Sequence, residues 1–175
     1  DVWMPEKTDD GKIISTSVSA YNGASIGAHQ VVRHWPRVEG EFALIEHWTK
    51  VDDAQNTAGF WLIHGADGSL HCYGKTEASR RADPKDKSHV GVWLIDESLN
   101  LRGEHVVYEY KAETDEPTAP QYRDFRAQRY LHKVLYGNAQ ASADLYSWGV
   151  DGWKDVQWHF HLVFDYGERT RDRDE

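Results

Sequence analysis

The chain has 175 residues, enough for one domain, and its 39% hydrophobic and 28% charged residues exclude wholesale disorder. A formal net charge of −9 argues against a nucleic-acid backbone as ligand, because a polyanion needs a basic counterpart. The single cysteine, Cys72, rules out an intramolecular disulfide, and no apolar run approaches the roughly 18 residues of a membrane span.

Eight Trp and nine Tyr stand against one Met. Flat rings pack well on a pleated surface, so the composition points to a β-rich fold. Residues 1–30 are the least readable segment, although Ile13 to Tyr21 suits a strand and Asn22-Gly23 is a strong hairpin turn. A second strand is expected from Gln30 to Trp35, punctuated by Pro36, and a third from Glu41 to Thr49. If extended, the third places Phe42, Leu44, Glu46 and Trp48 on one face. Val51 to Gly59 is a polar loop. Phe60–His64 and Leu70–Tyr73 flank a glycine-bearing turn and form a hairpin. Residues 75–91 are polar, with a turn at Asp83-Pro84-Lys85-Asp86. Val92 to Glu97 and Glu104 to Lys111 then pair across Asn100-Leu101-Arg102-Gly103.

Ala112 to Gln121, with Pro117 and Pro120, is a linker-like loop, and Arg126 to Tyr136 is a strand. Asn138 to Asp155 is a long insertion that Leu145, Tyr146, Trp148 and Trp153 can pin down. Gln157 to Tyr166 alternates most clearly, with Trp158, Phe160, Leu162 and Phe164 on one face. Such a stripe, worth roughly 1.5–3 kcal/mol per large side chain once buried, needs a covering layer. The tail, residues 170–175, is charged. The whole is all-β: a ladder of antiparallel hairpins forming a curved sheet or sandwich. The start at Asp1 reads as a cut from a longer chain.

Few residues group in patterns that carry chemistry. His159 and His161 share a strand face, with His132, His105 or Asp165 as further ligand candidates, but no C-x-x-C or H-E-x-x-H frame supports a metal, and none is expected. Cys72 lies within a strand, away from any helix N-terminus, and reads as an inert buried thiol. Ser15-Thr16-Ser17 with Glu39-Gly40-Glu41 has the form of the Ser-Thr-Ser and Glu-x-Glu elements of ADP-ribosyltransferases. The first arginine is Arg33, however, so none precedes Ser15 as that fold requires. Glu39 and Glu41 as an acid–base pair on a sugar lack any residue that would place a substrate. Asp83, Asp86, Asp96 and Glu97 do not make a calcium loop. No cofactor is expected.

A family resemblance emerges from the segments taken together. Arg37 to Trp48 resembles the segment before a Trp-bearing strand in the Salmonella plasmid virulence B protein family and in B components of insecticidal toxin complexes (Tc toxins). Similarity continues through Phe60–His64, Leu70–Gly74, Ala82–Asp86, Trp93–Glu97, Val107–Glu113, Arg129–Leu131 and Tyr136–Asn138, and closes at Leu162–Glu168. It covers about residues 31–169. The resemblance implies a wall segment of an Rhs-type β-shell that encloses a toxic fragment. It also implies as partners the rest of a longer chain, the C component and the A-component pore, with assembly in the bacterial cytoplasm followed by secretion. By the same resemblance, any ADP-ribosyltransferase domain would lie C-terminal and outside the match. The residues expected to carry the structural role are Trp93, Tyr108, Tyr110, Tyr136, Phe164 and Tyr166 in packing, with Gly103, Gly137 and Gly167 at turns. The alternatives are a carbohydrate-binding β module using exposed Trp and Tyr, and an ADP-ribosyltransferase-related fragment.

Overall fold

The structure, a computed structural model, describes residues 3–38, 40, 42–51, 58–113, 126–149 and 152–166. Twelve strands are present among them: β1 (Trp3–Pro5), β2 (Thr16–Tyr21), β3 (Ala24–Pro36), β4 (Leu44–Lys50), β5 (Phe60–His64), β6 (Leu70–Tyr73), β7 (Arg80–Ala82), β8 (Val90–Trp93), β9 (Ile95–Leu99), β10 (His105–Ala112), β11 (Arg129–Asn138) and β12 (Trp158–Val163). Ten form one antiparallel sheet in the order β1-β3-β4-β5-β6-β9-β10-β11-β12, with β2 beside β1 on the same edge of β3. The all-β antiparallel ladder expected from the sequence is therefore the observed fold.

Local chemistry explains the hairpins. Asn22 (φ 48°) and Gly23 (φ 83°) both sit in the left-handed region, the geometry a two-residue hairpin needs, and Tyr21 pairs directly with Ala24. Between β5 and β6 the Asp67 carboxylate accepts from Ser69 N at 3.0 Å, and Gly65 N donates to Ser69 O at 2.8 Å. Between β9 and β10 the Asn100 side-chain oxygen accepts from Arg102 N and Glu104 N, and Gly103 has φ 75°. A Cβ on Gly103 would lie 2.9 Å from both Ala141 Cβ and Ser142 N. Gly103→Val should therefore cost about 2–3 kcal/mol, from left-handed strain plus the displaced neighbour. A denaturation midpoint unchanged from the parent would contradict this.

Several expectations are corrected. β3 starts at Ala24 rather than Gln30, so one strand runs without a break across residues 30 and 31. β4 starts at Leu44, because Phe42 adopts φ 51° and is 80% exposed, off the strand altogether. The polar stretch 75–91 holds a further hairpin, β7–β8, in its own two-stranded sheet. The run Val92 to Asp96 is not one strand: Leu94 N donates to Ser79 O and Leu94 O accepts from Gly74 N. Leu94 thereby leaves the ladder, and Trp93 and Ile95 belong to different sheets. The linker region 114–120, the tail 170–175 and Gly167 lie outside the described residues.

The register places Val31, Trp48, Phe60, Leu62, Leu70, Cys72, Leu99 and Val107 on one face, where most join a single apolar cluster with Leu145. Leu62, Cys72 and Val107 are fully buried. Residues 139–149, after β11, cross this face as part of the pinned insertion expected from the sequence, and Leu145 is 2% exposed. Residues 74–94, between β6 and β9, cover the opposite face, where Trp93 meets Trp61 and Trp61 meets Trp3 and His47.

Candidate functional site

β9 lies at the middle of the sheet and carries two adjacent acids, Asp96 and Glu97, both fully buried. Successive strand residues point to opposite faces, so the two carboxylates diverge. Asp96 accepts from Lys75 N (2.7 Å), Thr76 N (3.2 Å), Thr76 Oγ1 (2.7 Å) and Ser79 Oγ (2.8 Å). These donors surround the single 3₁₀ turn Glu77–Ser79, for which Thr76 is the N-cap. Burial pushes the Asp96 carboxyl above its usual range, against the pull of these donors. Glu97 accepts from Tyr146 N (2.9 Å) and Ser147 N (3.0 Å), the opening amides of a second 3₁₀ turn, Tyr146–Trp148.

Glu97 Oε1 also lies 2.6 Å from Nδ1 of His105, itself 1% exposed, whose Nε2 lies 2.9 Å from Ser142 O. Each ring nitrogen thus faces an acceptor, and Tyr146 lies over the imidazole at 4.1 Å. Asn138 adds to the clamp: its Oδ1 accepts from His105 N, and its Nδ2 donates to Gly103 O and Gln140 O. One dipeptide therefore fastens the insertion on each face, each carboxylate accepting from several backbone or hydroxyl donors at once.

Beyond this clamp, Trp148 completes an aromatic box with Tyr21, Trp48 and Phe60. The Lys75 ammonium lies 3.8 Å from the Trp148 ring centre and 4.2 Å from that of Phe60, a cation–π sandwich. Burial lowers the Lys75 pKa from its ordinary value. His29, 4% exposed, presses against Trp48, Phe60 and Trp148 at 5.8–6.0 Å and donates from Nδ1 to Gly27 O. Burial holds its pKa down as well. Cys72 beneath is fully buried, and its thiol is pushed well above its ordinary value, first by burial and then by Asp96. It has no character of a nucleophile.

The residues singled out from the sequence are spread through the fold. Trp93 closes over Gly74, and Tyr110 donates from its hydroxyl to Ile95 O, with burial raising its pKa. Tyr108 lies on β10, and Gly137 has φ 70°. Phe164 is half-buried, its N donating to His132 O. Tyr136 is exposed and stacked on Phe160 at 5.0 Å, and Tyr166 is exposed over Tyr130. Phe160 and Leu162 are 55% and 50% exposed, so the expected stripe has no covering layer among the described residues. His105 is drawn to Glu97, away from His159 and His161 on β12, and among the described residues no three His, Cys, Asp or Glu gather as metal ligands. Ser17 accepts from Gln30, while Glu39 and Glu41 lie outside the described residues. Among the described residues, no helix is long and apolar enough to cross a membrane. Sequence reasoning did not single out Glu97, His105, Asn138 or Lys75 for this clamp. The adjacent acids within an otherwise strand-forming run were the available signal.

The model of the Salmonella virulence plasmid 65kDa B protein (SpvB) matches residues 1–175. The chain belongs to this family. It is 44% identical over 149 residues to the mono(ADP-ribosyl)transferase SpvB of Salmonella typhimurium, covering 83% of this chain and 24% of that protein. The solved N-terminal domain of effector protein SpvB from S. typhimurium strain LT2 superposes with a TM-score of 0.81 at 41% identity, over 96% of this chain and 52% of that one. A Photorhabdus luminescens Tc holotoxin pore (TM-score 0.77, 34% identity) and TcdB2-TccC3 (0.76, 32%) are also similar; this chain covers 8% of each matched chain, with 92% and 96% of its own length. The chain thus spans about a quarter of its SpvB relative, and its likeness to solved SpvB falls on the N-terminal domain.

Proposed function

We propose that this chain is a non-catalytic wall module of a toxin-complex B-like protein, contributing strands to an Rhs-type shell that encapsulates and helps deliver a toxic domain. Its partners on this reading are the rest of a longer chain, a C component and an A-component pore, assembled in the bacterial cytoplasm and then secreted. The observation that carries the reading is the use made of the polar groups around β9. Asp96, Glu97, His105 and Asn138 are all turned to fastening backbone, and none is left facing a cleft. Similarity to chains solved within Tc assemblies supports the same role. The mono(ADP-ribosyl)transferase activity named for the relative is not assigned to this segment.

The test is limited proteolysis of the protein carrying this sequence, co-expressed with its C component. The toxic fragment should resist cleavage, and deletion of β10–β12 should expose it. Equal protection after the deletion, or NAD binding by this chain in calorimetry, would overturn the proposal. The exposed Tyr136–Phe160 stack favours one second reading, a sugar platform, which a glycan array addresses: saturable binding lost in Phe160→Ala would support it.

A further inference from the structure

We propose that residues 139–149 form an acid-opened strap, in which a proton on His29 beside the Lys75 ammonium releases Trp148. The box holds one cation comfortably. Lys75 already lies over the Phe60 and Trp148 rings, and His29 meets the same two rings edge-on. The charges that act on His29 are those of Lys75 and of Lys50, its cross-strand partner on β4; no carboxylate among the described residues pairs with it. Asp96 and Glu97 act on Lys75 but not on His29, so among the described residues a second positive charge there has no carboxylate of its own and little water. The wall free to move is Trp148. It stands on a short 3₁₀ turn, and its indole N–H is buried without a hydrogen-bond partner, so opening restores a bond to water.

The sign follows from the geometry. In the closed state burial disfavours the imidazolium, whereas an opened, hydrated His29 titrates near the ordinary value of about 6.5. The open state therefore takes up the proton first, and opening is promoted as pH falls through that value. The other titratable groups facing the strap and its box are Glu97, His105, Tyr146 itself, Asp144, which accepts from Asn22, Tyr21 against Trp148, Cys72 beside Ser147, and Glu46, which accepts from the Trp48 indole. The His29→Gln variant leaves all of these groups in place, so it separates their effects from the proposed one.

The experiment is amide hydrogen exchange in the intact protein at about pH 7.5 and about pH 5.5, corrected for intrinsic rates, read at Tyr146 and Ser147. The opening equilibrium should rise by up to about tenfold at the lower pH, the ratio set by a group of pKa ~6.5 in the open state only. In His29→Gln, neutral throughout, the two values should coincide. Equal opening of the parent at both pH values, or an undiminished acid response in His29→Gln, would overturn the proposal. Should that variant not fold, Lys75→Met removes the opposing charge: a smaller acid response supports the latch, and an unchanged one defeats it.

Discussion

Glu97→Ala is expected to lower stability by about 3–5 kcal/mol, a large share of the ~5–15 kcal/mol that holds a typical domain together. The change strips the acceptor from Tyr146 N, Ser147 N and the His105 ring at once, and each buried orphan costs roughly 1–3 kcal/mol. Asp96→Ala is expected to match it, leaving Lys75 N, Thr76 N, Thr76 Oγ1 and Ser79 Oγ without their acceptor. Urea unfolding reads both losses as a fall in midpoint. Hydrogen exchange separates them: Glu97→Ala should speed Tyr146 and Ser147, and Asp96→Ala should speed Lys75 and Thr76. Losses below about 1 kcal/mol would mean that the backbone amides find other acceptors. Glu97→Gln should fall between parent and alanine, since its amide nitrogen turns a donor toward one of the donors.

The second large effect is expected at Gly74. Its φ of 68° suits glycine, and a Cβ built there overlaps the Trp93 indole, with Cγ and Nε1 at 2.9 Å. The same residue donates from N to Leu94 O and accepts from Arg80 Nε, so the backbone cannot retreat without breaking the β6-to-β7 connection. Gly74→Val should therefore cost about 3 kcal/mol or more, and Gly74→Ala somewhat less. Trp93 would be driven from Trp61, which fluorescence can follow. The control is Gly91→Ala, whose nearest new contact is an ordinary 3.8 Å and whose change should stay within about 0.5 kcal/mol. A Gly74→Val protein as stable as this control would show that the 74–94 insertion is not tightly seated.

The fold was legible wherever local chemistry decides it. Asn22-Gly23 announces its hairpin by backbone preference alone, and the alternation of Phe60–His64 and Leu70–Tyr73 fixes a pairing that the register confirms. The failures share a cause. Leu94 sits in a run of β-formers, yet its backbone is claimed by Ser79 and Gly74, a tertiary contact no periodicity reports. The β7–β8 hairpin is hidden because its strands are short and β7 is mostly arginine, held by the Asp96 anchor more than by apolar faces. The clamp itself was illegible for the same reason. Asp96 and Glu97 look like solvated strand acids until the insertions that bury them are in place.

Adjacency of the two acids has a consequence for folding accuracy. A slip of β9 by one residue would turn both acids to the wrong faces, so that one loop meets an acid of the wrong length and the other meets Ser98 or Ile95. Neither 3₁₀ turn would then find its acceptor, and both would stay undocked. The pair thus works as a proofreading mark at the centre of the sheet, rejecting misaligned ladders that hydrophobicity by itself would accept.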